Sequence, residues 1–198
     1  MPAPHALLLD FDGLLADYNH RRFLAVLAER SQRAPEEVDA ALRIEGLELA
    51  HARGELDAAQ LLQALSERLG STLQADDWHQ ARLAATTPRR DCITLLHRIS
   101  ADTQLAILTN NGALTLPVIE QLLPGLRVLG SATLGVRKPD PRAYLNACTA
   151  LGSDPAHTAF VDHLFRNVQG ARAAGLQADT AHHAQSLRRL LRRWHLLS

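Results

Sequence analysis

Lysine is almost missing from this 198-residue chain: 21 basic residues comprise 20 arginines and a single lysine, Lys138. A generic surface cation can be either residue, so the one surviving ammonium reads either as chance survival or as the mark of a place where a slender point charge is accepted and a broad guanidinium fork is not. Net charge is missing as well, since Asp and Glu also number 21. That balance removes any overall electrostatic pull toward nucleic acid or an anionic membrane. No apolar run approaches about 18 residues, and the opening MPAPHALLLDFD has no basic stretch before its short apolar segment, so a transmembrane or secreted character is not expected. The two cysteines, Cys92 and Cys148, show no CxxC or Cys/His metal spacing and read as buried free thiols. Repeats and low-complexity linkers are absent too.

What is present begins with 46% apolar residues, ample for one packed domain or one domain with an insertion. Short apolar runs at 6–9, 105–108, 127–130 and 158–161 have strand length. Helical periodicity fills 88–100, 113–123, 141–151, 164–174 and 184–197. This alternation predicts an α/β fold, a Rossmann-like doubly wound parallel sheet covered by helices. Thr87-Pro88 and Asp140-Pro141 read as helix starts, each a capping side chain before proline at the first helical position, and Gly152 as a stop.

Residues 16–86 break the rhythm. Nothing in them reads as a strand, and 20–32, 35–54, 56–70 and 75–85 give four amphipathic segments, with Pro35 and Asp57 as starts and Gly70 as a stop. The expected organisation is an α/β core of 1–15 and 87–198 with a helical cap, 16–86, inserted after the first strand.

Ligands of doubly wound sheets bind beyond the carboxyl ends of the strands. Four groups stand there: Asp10 and Asp12, Thr109-Asn110-Asn111, Arg137-Lys138-Pro139, and Asp162-His163. A buried strand that delivers two carboxylates at once, with Gly13 allowing a sharp turn, is poorly explained by capping alone. Thr109-Asn110-Asn111-Gly112 also reads as an ordinary turn. His51, Arg53 and Asn19-His20-Arg21 stand where a cap would face substrate, although a solvated helix face is the simpler account of any one of them.

DFDG, the threonine of LTNN, the lysine of RKPD and FVDH before xxNVxGAxxAGL, in that order and at these distances, resemble the four motifs of the haloacid dehalogenase-like hydrolase superfamily over essentially the whole chain. HARGELD, RKPDPRAY and FVDHLFRNVQGARAAGL are similar in spacing to the branch that contains bacterial α-glucose-1-phosphate phosphatases and the N-terminal phosphatase domain of soluble epoxide hydrolases. The resemblance implies a metal-dependent phosphatase acting through an aspartyl-phosphate. Asp10 is then the nucleophile and Asp12 the general acid and base. Thr109 and the backbone N–H of Asn110 hold phosphoryl oxygens, Lys138 keeps Asp10 ionised, and Arg53 contacts substrate. Asp10, the Asp12 carbonyl and Asp162 are the implied magnesium ligands.

Position 163 departs from the pattern, because magnesium-dependent relatives generally place a second acidic residue there. An imidazole is a poor magnesium ligand. Four outcomes follow: weak magnesium binding, a shift to manganese with His163 as a ligand, His163 touching phosphate as an imidazolium, or a decayed site. Leu14, where threonine or valine is frequent, is a minor change. Two rivals remain, a metal-independent 2-haloacid dehalogenase and a non-catalytic phosphate-ligand-binding or regulatory protein; Asp12 argues against the first. The expected partner is a small phosphorylated metabolite rather than nucleic acid or membrane, for a cytoplasmic monomer or homodimer. The C-terminal helix, with Leu187, Leu190, Leu191 and Trp194 opposite Arg188, Arg189, Arg192 and Arg193, is expected to dock on the sheet.

Overall fold

The computed structural model describes residues 3–43 and 46–197. Its main sheet has five parallel strands in the order β5-β4-β1-β6-β7: β1 Ala6–Leu9, β4 Gln104–Thr109, β5 Arg127–Gly130, β6 Thr158–Asp162 and β7 Gln177–Thr180. Central β1 pairs Leu7 with Leu105 on one side and Ala159 on the other.

The side-chain period of two sorts the core. Leu7 and Leu9 face a cluster with Leu95, Ile119, Leu187 and Trp194, while Leu8 between them faces Tyr144, Phe160 and Val168. Helices α6 (Arg90–Leu96), α7 (Leu116–Leu122) and α11 (Ala184–Arg193) supply the first layer, and α9 (Pro141–Leu151) and α10 (Phe165–Ala173) the second. The α/β doubly wound architecture is therefore as expected. Leu187, Leu190, Leu191 and Trp194 are buried, and Arg188, Arg189, Arg192 and Arg193 are exposed. Cys92 and Cys148 are buried and free. Among the described residues no helix is long and apolar enough to cross a membrane.

Between β1 and β4 lie α1 (His20–Ser31), α2 (Pro35–Arg43), α3 (Leu47–Arg53), α4 (Ala58–Leu69) and α5 (Ala75–Ala84). They pack around their own apolar cluster, in which Phe23 meets Trp78 edge-on at 4.9 Å. Asp57 closes a capping box on α4, and Gly70 ends that helix in the left-handed conformation. The bundle rests on the turn at 113–115. Leu114 joins its cluster, and the Leu114 N–H donates to His51 Nε2 at 3.2 Å.

Four details differ from the sequence expectation. β2 (Ala16–Tyr18) pairs antiparallel with β3 (Thr86–Pro88), so the chain enters and leaves the bundle through a two-stranded ribbon where no strand was expected. Thr87-Pro88 is accordingly strand, and α6 begins at Arg90. Proline needs no ladder N–H on such an edge. The expected 35–54 segment forms two helices, α2 and α3, with Gly46 at φ 68° before the second; residues 44–45 lie outside the described ones. Finally β7, QADT, has too few apolar residues to read as a strand; its first two residues are buried and its last two half-buried.

Candidate active site

Three neighbouring strands, β4, β1 and β6, end at one edge of the sheet. Asp10 follows β1, Thr109 is the last residue of β4, and Asp162 is the last residue of β6. Adjacent parallel strands thus bring residues about 100 to 150 positions apart in sequence to one point, at the switch where the chain turns to opposite sides of β1.

Lys138 is buried there. Its Nζ donates to Asp10 Oδ1 at 2.7 Å and to Asp162 Oδ2 at 2.8 Å. Burial alone would pull the ammonium pKa down, but the two carboxylates outweigh it and hold the proton above the ordinary range. Asp162, also opposed by burial, is held below its ordinary value by Lys138 and by donors from the Leu164 N–H and Asn167 Nδ2, each at 2.8 Å. Asn110 fixes the lysine's backbone, donating from Nδ2 to the Lys138 carbonyl and accepting from its N–H, both at 2.9 Å.

His163 occupies the other side of Asp10. Its Nδ1 lies 2.8 Å from Asp10 Oδ2 and 3.5 Å from Asp162 Oδ1. The hydrogen bond to Asp10, working against burial, raises the imidazole pKa. Gly13 makes room for the ring: at φ 81°, a Cβ there would lie 2.8 Å from the imidazole carbons.

Asp12, two residues on from Asp10, has partners of its own. Its Oδ1 accepts from Arg82 at 2.5 Å and its Oδ2 from Asn111 Nδ2 at 2.8 Å. Asn111 Nδ2 also lies 2.7 Å from Thr109 Oγ1. Arg82 belongs to α5 and is buried, with its guanidinium 3.8 Å from the centre of the Tyr18 ring. So Asp10, Lys138, Asp162 and His163 form one cluster, and Asp12, Thr109 and Asn111 a second beside it. Arg53 stands apart, on a cavity of about 840 Å³ that Asn110 and Lys138 also line.

Sequence reasoning did not single out Arg82 or the Asn111 side chain. Arg82 is one of 20 arginines, on a helix without a pronounced apolar face, and only the fold reveals what it meets. His51 is structural: buried, it bonds the Leu56 carbonyl through Nδ1 at 2.9 Å as well as Leu114. Asn19 caps α1, and His20 pairs with Asp39 at 3.2 Å.

As a cation site, the ligand atoms of Asp10, Asp162 and His163 all lie within 4.8 Å of one another, compact enough for one ion. Two carboxylates and an imidazole fit a divalent cation. The imidazole is the donor least suited to magnesium, which favours oxygen ligands.

A family model for haloacid dehalogenase-like hydrolases matches residues 4–175. The chain belongs to that family. Among solved structures, the HAD family enzyme BT-2542 of Bacteroides thetaiotaomicron is 17% identical, with a TM-score of 0.77 over 96% of this chain and 98% of that one. The same enzyme is known in complex with magnesium and inorganic phosphate, at a TM-score of 0.76, 16% identity, and 94% and 98% coverage. The L-2-haloacid dehalogenase PA0810 has a TM-score of 0.68 and 23% identity, covering 96% of this chain and 99% of its own. These likenesses are of fold. A curated relative, Phosphatase MT3486 of Mycobacterium tuberculosis (strain CDC 1551 / Oshkosh), is 45% identical over 51 residues. That match spans 26% of this chain and about a quarter, 24%, of the relative.

Proposed function

We propose that this hydrolase is a phosphomonoesterase for a small phosphorylated metabolite, working through an aspartyl-phosphate on Asp10. The observation that carries the reading is Asp12 beside a strand-end Asp10 that is itself ion-paired to Lys138. A displacement at phosphorus needs a carboxylate nucleophile and a second group to manage the leaving-group proton, and this arrangement supplies both. Asp10 attacks phosphorus, the ester P–O bond breaks, and Asp12 donates the proton that the leaving alkoxide takes. Water then attacks phosphorus, Asp12 accepts its proton, and orthophosphate leaves Asp10 as carboxylate.

Thr109 Oγ1 and the Asn110 N–H hold phosphoryl oxygens, and Lys138 offsets their charge. Asn111 and Arg82 orient Asp12. The bundle α1–α5 acts as the cap, the one wall of the site not built from strand ends, and so sets which alcohol is accepted. Asp10, the Asp12 carbonyl, Asp162 and His163 would hold a divalent ion, whose contribution when bound is to neutralise charge on the transferring phosphoryl group.

Kinship in fold to L-2-haloacid dehalogenases makes 2-haloacid hydrolysis the second reading. There attack by Asp10 is at carbon, and Asp12 has no leaving-group proton to supply. Phosphate release from a panel of sugar phosphates, nucleotides and aryl phosphates, beside halide release from 2-chloropropionate, separates the two. The expected result is phosphate release by the wild type and none by Asp10→Asn; halide release alone, or neither product, would reject the phosphatase reading.

A further inference from the structure

The 840 Å³ cavity beside Lys138 and Asn110 carries more positive charge than the chain neutralises. Of its arginines, Arg142 is paired with Asp140 at 2.6 Å and Arg53 with Glu55 at 3.7 Å. Arg137 and Arg166 also line it, and neither has a carboxylate partner among the described residues. Arg137 is half-buried, and its Nε is enclosed with no hydrogen-bond partner. Burial, then the neighbouring Arg53 and Arg166, lower its pKa, with only Glu48 acting against them. A desolvated guanidinium facing two like charges is unfavourable unless something absent from the chain compensates it.

An anion would do so. We propose that this cavity is a second anion subsite, in which Arg137 and Arg166 bind a phosphate or carboxylate carried on the alcohol portion of the substrate. The location supports this choice, since Lys138 and Asn110 are shared between the cavity and the proposed phosphoryl site. A molecule with its reacting phosphate at Asp10 therefore extends its remainder toward the arginines. A neighbouring cavity of about 250 Å³ shares Arg137 and Asn110 but contains Glu48 and Trp78, so it is less suited to a charged group. The substrate class is then a phosphomonoester with two anionic ends. This deepens the phosphatase reading and rests on it for which end reacts.

Equilibrium binding tests the subsite without turnover. Calorimetry on Asp10→Asn compares phenyl phosphate, 4-carboxyphenyl phosphate and 1,4-phenylene bisphosphate. At least one doubly anionic probe should bind about tenfold tighter than phenyl phosphate, the gain expected from one charge-assisted contact. Which of the two gains more distinguishes carboxylate from phosphate as the second group. Adding Arg137→Gln and Arg166→Gln should remove the preference, and exposed Arg166→Gln alone, which disturbs no packing, should reduce it. Arg188→Gln with Arg189→Gln, on distant α11, should retain it. Equal affinity for all three probes, no binding of any, or equal loss in the α11 control would overturn the proposal. Absence of turnover by the wild type would reject the phosphatase reading alone, leaving the binding preference to stand or fall separately.

Discussion

Arg82 and Asp12, 70 positions apart, meet at 2.5 Å between guanidinium and carboxylate. Arg82 belongs to the helical bundle and Asp12 to the loop beyond β1, so this pair ties the bundle to the chemistry. The guanidinium is buried against Tyr18, and its Nε has no partner among the described residues. Arg82→Gln should therefore change the pH profile of hydrolysis and lower kcat more than it raises KM, because it disturbs Asp12, the group proposed to act on the leaving oxygen. An unaltered profile with only a lower melting temperature would reduce Arg82 to a packing role.

Asp12→Asn removes the proton donor while keeping shape. Its effect on kcat/KM, which reports the step that expels the alcohol, should depend on the leaving group: a loss of about 10²–10⁴ for alkyl phosphates and much less for p-nitrophenyl phosphate, whose leaving oxygen needs no proton. Equal losses for both would remove Asp12 from the acid role.

Lys138 is held between two buried carboxylates, so Lys138→Met removes the ammonium that pairs both and leaves His163 as the one cationic group beside them among the described residues. Denaturant unfolding should show a loss of about 3–5 kcal/mol. Lys138→Arg should not restore stability, because a planar fork cannot occupy a space enclosed by Asp10 and Asp162. Stability equal to wild type in the arginine variant would contradict the reason given for the only lysine.

At the far edge of the sheet, Asp179 takes Arg193 of α11 at 2.6 Å and lies near Arg172. Burial would raise its carboxyl pKa, but the Arg193 hydrogen bond and the Thr180 N–H outweigh it, and the folded value lies below the ordinary 3.8. A carboxyl depressed on folding stabilises above its unfolded pKa and loses that contribution as pH falls through the folded one. The melting-temperature deficit of Asp179→Asn should thus be present at pH 7 and shrink below about pH 4. A constant deficit at every pH would show that charge is not what anchors α11.

Much of this was legible in the chain. Four of five sheet strands are short apolar runs because parallel strands bury both faces, and the residues after them are polar because they end at a ligand edge. Asp10, Asp162 and His163 could be placed near one another from strand topology alone. β7 could not be read, since QADT carries a single apolar residue, and neither could the β2–β3 ribbon, whose paired residues Asp17 and Thr87 lie far apart in the chain. Arg82 and Arg166 were hidden for a different reason. Among 20 arginines no pattern separates a buried guanidinium from a solvated one; only tertiary structure does.

The His163 imidazole stands beside both carboxylates that would hold a divalent ion. His163→Asp should lower the magnesium concentration needed for half-maximal activity and reduce any preference for manganese, with direct manganese binding followed by electron paramagnetic resonance as a second readout. Identical metal dependence and manganese affinity in the two proteins would rule out position 163 as a ligand.

The central claim is that Asp10 carries the phosphoryl group. Borohydride quenching during turnover of a phosphomonoester, followed by mass spectrometry of the peptide containing Asp10, reads this directly: an acyl phosphate is reduced, converting the aspartate to homoserine. The account predicts homoserine at position 10 only when substrate is present, and none at Asp12 or Asp162. Steady phosphate release with Asp10 unmodified, or reduction at another carboxylate, would contradict it.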